Sequence, residues 1–143
     1  MPFVIARICV SQEANEVPSA SSLNIKEFFE SDSLLTLEQL QQLEYAAGTS
    51  QLTEIRQAVG DLARRVESGE KRESVVARAG VGSYVLSRQS QADRLLSAVS
   101  GDGVALFAHG QCLTALGRPD EAAGRFEAAA RLGVDPVGCA LRR

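Results

Sequence analysis

One histidine and one cysteine lie close enough in the sequence to suggest nucleophilic chemistry. His109 is the only histidine of the chain, and Cys112 follows it by three residues, so both lie near one face of a helix. A Cys–His catalytic pair needs such proximity. However, apolar residues flank Cys112, and His109 stands at a position where a helix packs. We therefore interpret both as packing residues and expect no catalytic residue.

The motifs of other common enzyme and metal sites are missing from the sequence. There is no CxxC, no P-loop and no HExxH, and the short stretch GVGS at 80–83 lacks both the preceding strand and the further glycine of a dinucleotide site. A Ser-His-Asp triad would have a single candidate base and no nucleophile elbow. We therefore expect no metal and no cofactor, and an enzyme is the weakest of our functional hypotheses.

Composition and charge limit the kinds of partner. The 143 residues have a net charge of −3, few aromatic residues and no tryptophan, which argues against nucleic acid binding. Residues 1–50 carry seven acids against two bases, and the remainder has a net charge of +2. The two parts could attract each other, or the acidic part could face a basic partner, although solvated surfaces explain the asymmetry more simply. Three widely spaced cysteines suit a reducing compartment, and no apolar run reaches membrane-spanning length. We expect a cytoplasmic protein without membrane contact.

The first third of the chain has mixed signals. Residues 3–10, FVIARICV, are rich in β-branched side chains and predict a strand or an extended arm. Because no second strand follows, this segment either pairs with another chain or is not a strand. Residues 11–24 are a polar linker. The stretch IKEFFESD predicts a short helix whose Phe28 and Phe29 dock on the rest. We assign residues 1–33 to an extended or partly ordered N-terminal segment and 34–143 to a helical domain.

Helical periodicity begins at residue 36. Thr36 and Gln39 form a capping box that starts a helix over 37–47. A second helix over 51–67 carries one apolar seam, formed by Leu52, Ile55, Val59, Leu62 and Val66. Because a coiled coil would need more heptads, we expect the two helices to pack as a hairpin over 37–67.

A short basic run follows the second helix. It consists of Arg64, Arg65, Lys71 and Arg72. This run could dock an acidic partner. Salt bridges to the neighbouring Glu67, Glu70 and Glu73 on a solvated face are the alternative that we prefer.

Residues 74–100 align with 104–130 after a shift of thirty residues. The agreement is confined to positions that would pack: Val76 with Leu106, Gly80 with Gly110, Leu86 with Leu116, Ala92 with Ala122, Leu96 with Phe126, and Val99 with Ala129. This predicts a degenerate repeat of two-helix units, with helices over 74–87, 90–99, 104–116 and 119–131. Glycine inside a helix is costly, so Gly110 indicates the close approach of a neighbouring helix, with Phe126 filling the space beyond.

The second unit resembles the tetratricopeptide repeat (TPR). Gly110, Ala122, Phe126 and Ala129 match the small and aromatic positions of that motif, and residues 117–122, GRPDEA, match a common wording of its turn. Leu106, His109 and Leu113 depart from the usual residues, and the spacing is thirty residues instead of thirty-four. The resemblance implies an all-α fold of antiparallel hairpins stacked as a short TPR-like solenoid: hairpin 37–67, units 74–100 and 104–133, and a short C-terminal cap.

The resemblance also implies a non-enzymatic protein–protein interaction module, an adaptor or scaffold. Such a module would bind a protein or peptide through the exposed face of the first helix in each two-helix unit. The exposed face would include Val104, Ala108, Ala77 and Val81, and the partner-binding residues would be Tyr84, Phe107, Gln111, Thr114 and Arg78. The alternative is a structural or assembly subunit, including a homo-oligomer, because the ends of a short solenoid need covering.

Overall fold

The computed structural model describes residues 23–134. This part of the chain contains α-helices and no strand, which confirms the predicted all-α class. The helices are α1 (Ile25–Glu30), α2 (Leu37–Ala46), α3 (Leu52–Glu67), α4 (Glu73–Val85), α5 (Gln89–Leu96), α6 (Gly103–Ala115) and α7 (Pro119–Arg131). The strand predicted over 3–10 and the predicted C-terminal cap lie outside the described residues.

Local side-chain contacts explain where several helices begin. The capping box at α2 is confirmed, because the Thr36 hydroxyl accepts from the Gln39 N–H at 3.1 Å and the Gln39 side chain accepts from the Thr36 N–H at 3.1 Å. The Asp102 carboxylate accepts from two N–H groups of the first turn of α6. Pro119 occupies the first turn of α7, where no backbone N–H is needed.

Helix α4 lies at the centre of the core. Its residues from Val75 to Ser83 are all buried, because α4 packs against α1, α2, α3, α5 and α6. The later helices pack in chain order, α5 against α6 and α6 against α7. A single apolar core therefore joins all the helices from α1 to α6.

The hairpin expected over 37–67 is not formed. Helices α2 and α3 make almost no contact with each other, and α1 packs on α3 and α4 instead. Helix α1 packs there through its apolar side, whose Phe28 and Phe29 are buried. Gly82 leaves room for this packing, since a Cβ there would collide with Val59 and lie 3.2 Å from the Phe29 ring. Residues 23–33 are thus part of the compact unit Leu23–Val134.

The last four helices repeat at an interval of thirty residues. Helices α4 and α6 each have thirteen residues and start at Glu73 and Gly103, while α5 and α7 start at Gln89 and Pro119. The turn inside each pair is also the same. The Arg88 N–H donates to the Ser83 carbonyl at 2.8 Å, and the Arg118 N–H donates to the Leu113 carbonyl at 2.8 Å. The alignment predicted from the sequence is therefore a structural repeat.

The same close approach holds each pair of helices together. A Cβ at Gly80 would lie 2.6 Å from the Leu96 side chain, and a Cβ at Gly110 would lie 2.5 Å from the Phe126 ring. Both pairs occupy matching positions of the repeat. The prediction that Gly110 permits the approach of a neighbouring helix is confirmed, and Gly80 has the same role in the first pair.

Candidate functional site

Three of the five predicted partner-binding residues share one stripe of α6. Phe107, Gln111 and Thr114 follow the i, i+4, i+7 spacing of a helix face. Phe107 and Gln111 are half-buried and Thr114 is exposed, with its hydroxyl donating to the Gly110 carbonyl at 3.0 Å. Val104 and Ala108, which we expected to be exposed beside them, are buried. The stripe is consequently narrower than the sequence suggests.

Tyr84 is half-buried at the end of α4, near Glu44 of α2 and Cys112 of α6. Burial, the neighbouring Glu44 carboxylate on α2 and the nearby Cys112 on α6 raise the pKa of Tyr84 to about 12. Burial also raises the pKa of the Glu44 carboxyl group, against the effect of the Tyr84 hydroxyl. The phenol is therefore neutral at physiological pH and can contribute a hydroxyl group and a ring face to a contact.

Arg78 is not available to a partner in this structure, which corrects the expectation for this residue. Its side chain is 0% exposed. The guanidinium donates through Nε to the Phe28 carbonyl at 2.8 Å and lies 5.3 Å from the centre of the Phe28 ring. Burial lowers the pKa of Arg78, while the Asp102 and Asp32 carboxylates oppose that shift.

Arg78 therefore anchors α1 to α4 and does not line an open groove. Ala77 and Val81, which were also expected on the open face, are buried with it. Helix α1 explains the burial of Arg78, because it packs directly on α4. The sequence contained one signal for this contact, the predicted docking of Phe28 and Phe29.

His109 is paired with Asp93, and Cys112 is fully buried. The His109 Nε2 lies 2.7 Å from an oxygen of Asp93, whose other oxygen accepts from Arg118 at 2.8 Å. Burial and the Asp93 charge raise the pKa of Cys112 to about 12, so the thiolate that nucleophilic chemistry needs is strongly disfavoured. Asp93 was missed by the sequence analysis, because it lies sixteen residues from His109 and belongs to no motif.

The basic run is largely paired with acidic side chains. Arg65 and Arg72 both contact the Glu70 carboxylate, at 3.3 and 3.1 Å. Arg64 pairs with Asp61 in the preceding turn. Glu73 was an expected partner of the run, but its carboxylate accepts from the Gly101 N–H at 2.7 Å. The solvated face with salt bridges is thus the arrangement observed, with partly different acids.

An apolar surface lies at the end of the second helix pair. The rings of Phe107 and Phe126 are 5.7 Å apart and both are half-buried. Ala123 and Ala130 of α7 are exposed beside them at helical spacing from Phe126. We call these four residues the end face. Phe126 was predicted to be buried between the two helices of its pair, but its ring is only half-buried.

Among residues 23–134, no three acidic, histidine or cysteine side chains are grouped so that they could hold a metal ion. No helix there is long and apolar enough to cross a membrane. Comparisons with protein-family models, with curated proteins and with solved structures found no match.

Proposed function

We propose that this chain is a TPR-like helical-repeat module that binds a protein or peptide partner and has no enzymatic activity. The observation that carries the proposal is the structural repeat. Two helix pairs have the same start positions, turn and glycine contact at an interval of thirty residues. Repeated helix pairs of this kind stack into extended surfaces that bind other proteins.

The partner surface in this proposal centres on the α6 stripe with Tyr84. Phe107 and Tyr84 supply aromatic rings, while Gln111 and Thr114 supply hydrogen-bonding groups, and all four have accessible surface. Aromatic side chains in partly enclosed surroundings commonly dominate binding energy. Arg78 is not included among the proposed partner-binding residues, because its side chain is buried.

A second candidate function is a structural or assembly subunit. The end face favours it, because half-buried phenylalanine rings and exposed alanines at one end of a stack of helices are typical of a surface that another chain covers. Light scattering coupled to chromatography separates the two functions. A monomer at working concentration favours the adaptor, and a stable oligomer favours the assembly subunit.

The proposed function is tested by purifying partners from the native cell with the tagged full chain, followed by affinity measurements on a purified partner. Phe107→Ala and Tyr84→Ala should each weaken binding by about tenfold or more, with melting temperatures recorded for each variant. Charge reversal at Arg64 serves as the matched control and should leave affinity unchanged. If affinity instead fell on charge reversal and ignored both aromatic substitutions, the α6 surface would be excluded.

A further inference from the structure

A cavity between α3, α4 and α5 lies outside the proposed partner surface. It has a volume of about 320 Å³, and the sites that bind small molecules in proteins begin at about 300 Å³. No residue of α6 lines it. Its floor is apolar and is formed by Ala63, Val66, Val76, Leu95 and Ala98. A cavity of this size suits a small molecule with a hydrocarbon part, and not a helix or strand of a partner.

The side chain that α4 contributes to the floor is smaller than its counterpart in the second repeat. Val76 matches Leu106 in the thirty-residue alignment, and both are buried. On the α3 side of the cavity, Val66 is only half-buried, although it belongs to the apolar seam of that helix. The repeat accepts a longer side chain at the position of Val76, so the shorter valine leaves apolar space that a ligand can fill.

Two of the three glutamates at the rim of the cavity are already engaged by other groups. Glu70 pairs with Arg65 and Arg72. The Glu73 carboxylate accepts a hydrogen bond from the Gly101 N–H at 2.7 Å. The third glutamate of the rim, Glu67, is exposed and forms no salt bridge within residues 23–134.

Both cations at the rim lack an acidic partner. Lys71 and Arg94 are exposed, and neither forms a salt bridge with any residue of 23–134. Lys71 is also the one member of the basic run that is left unpaired in this part of the chain. Of the three rim charges that are not engaged, two are therefore positive and one is negative. The polar group of a ligand is most favourable here as an anion placed near the two cations.

We propose that this cavity binds a small amphipathic carboxylate. Its hydrocarbon part lies against Val66, Val76 and Leu95, and its carboxylate lies between Lys71 and Arg94. Burial of the hydrocarbon part supplies most of the affinity, and the two cations fix the orientation. This inference goes beyond the proposed function and does not depend on it, because none of the four proposed partner-binding residues lines the cavity.

The test uses the full chain, octanoate as the probe and NMR of the methyl groups. Octanoate should shift the methyl signals of Val76 and Leu95 until they saturate. The signals of Leu113, which does not line the cavity, should not move. Octanol and octylammonium have the same chain length and are the control ligands. Because neither carries a negative charge, both should bind at least about twofold more weakly than octanoate.

Charge substitutions at the rim should act in opposite directions. Lys71→Gln and Arg94→Gln should each weaken octanoate binding by about two- to fivefold, the effect of one exposed ion pair. Glu67→Gln should strengthen it, because it removes a repulsive charge. Arg88→Gln is the matched control and should have no effect, since Arg88 is an exposed arginine outside the cavity.

A further variant fills the cavity without changing its charge. Val66→Leu combined with Val76→Leu should abolish the octanoate-induced shift of Leu95. The melting temperature of this double variant should stay the same or rise, because filling a cavity commonly stabilises a protein. Loss of binding therefore cannot be attributed to unfolding. If the double variant still bound octanoate with the same affinity, the probe would occupy another place and the inference would be wrong.

Several other results would overturn the inference. They are no saturable shift with octanoate, equal binding of octanol, and equal losses from Lys71→Gln and Arg88→Gln. Tighter octanoate binding on Phe3→Asp would assign the cavity to the chain's own N-terminal residues. If octanoate did not bind but a purified protein partner lost affinity on Lys71→Gln, the cavity would belong to a protein interface. The proposed function is judged separately, by the response of a partner to Tyr84→Ala and Phe107→Ala.

Discussion

At the scale of single residues, the two repeats make the same turn with different amino acids. Ser87 has a φ of 64°, and Gly117, thirty residues later, has a φ of 78°. A side chain at positive φ crowds its own backbone, whereas glycine accepts this conformation without strain. The first turn therefore holds strain that the second turn avoids.

Ser87→Gly should raise the free energy of unfolding by about 0.5–1 kcal/mol, because the relief of strain exceeds the extra entropy that glycine loses on folding. Chemical denaturation measures the difference. Gly117→Ser is the reciprocal control and should destabilise the chain. Unchanged stability in both variants would show that this turn is relaxed whichever residue it contains.

Two glycines inside helices should respond in opposite ways to alanine. A Cβ at Gly110 would meet the Phe126 ring, whereas a Cβ at Gly124 has no atom within 4 Å. Gly110→Ala should cost about 1–3 kcal/mol of stability through overpacking, and Gly124→Ala should gain up to about 1 kcal/mol through helix propensity. Thermal unfolding of both variants compares them directly.

A double-mutant cycle identifies the clash. Phe126→Ala removes the ring that the new Cβ would meet, so Gly110→Ala should cost much less in that background. Since the Phe126 ring is half-exposed, Phe126→Ala alone should cost less than the roughly 3–5 kcal/mol of a fully buried phenylalanine. If the stability losses of Gly110→Ala and Phe126→Ala were strictly additive, α6 and α7 would accommodate the added methyl group without a clash against the ring.

At the scale of elements, one carboxylate links three parts of the repeat. Asp93 on α5 contacts His109 on α6 and Arg118 in the turn before α7. Burial acts to raise the pKa of Asp93, but the hydrogen bonds from His109 and Arg118 outweigh it, and the net pKa lies below its ordinary value. The charged carboxylate is thus better stabilised in the folded chain than in the unfolded chain.

A lowered pKa predicts the direction of the pH dependence. The stability that Asp93 contributes is fully present above its unfolded pKa of about 4 and is lost as the pH falls through the lower folded value. Asp93→Asn cannot titrate, so the difference in unfolding free energy between wild type and variant should be largest above about pH 5 and should shrink below about pH 4. Denaturation at a series of pH values measures this.

Asp61→Asn provides the control for this pH series. Asp61 pairs with Arg64 on the surface, where both side chains are mostly exposed, and exposed pairs contribute little. The unfolding free energy of Asp61→Asn should therefore change with pH in nearly the same way as that of the wild type. A difference for Asp93→Asn that does not change with pH would show that Asp93 acts through shape and not through its charge.

At the scale of the whole molecule, the short helix α1 belongs to the core of the repeats. Phe29 is 4% exposed and lies near Gly82 of the central helix α4. The Arg78 guanidinium binds the backbone of α1 from the same helix. Loss of this contact should therefore affect the folding of the entire compact unit.

Phe29→Ala should lower the free energy of unfolding by about 3–5 kcal/mol, because it leaves a cavity between α1, α3 and α4. Tyr45→Ala is the control, since its side chain is 72% exposed and its loss should cost little. Circular dichroism at 222 nm should report one transition in each case. If Phe29→Ala left the melting temperature unchanged, α1 would be a peripheral segment.

The sequence by itself determined the local features of this protein. The ends of the helices could be predicted to within a few residues, because they depend on residues close by in the sequence. Examples are the cap at Thr36, the proline at the start of α7 and the glycine after α6. The thirty-residue repeat was also visible, because matching side chains pack in matching ways. Gly110 by itself indicated that a neighbouring helix approaches α6 closely at this position.

Only the tertiary structure decided which faces of those helices are covered. Arg78 looks like a surface residue by type, yet α1 and Ser33, more than forty residues earlier, enclose it. Two other contacts could not be predicted for the same reason. Helix α3 packs on α1 and not on α2, and Asp93 pairs with His109. Periodicity shows that a helix has an apolar side but does not show which helix packs against it, because burial depends on residues brought together from distant parts of the chain.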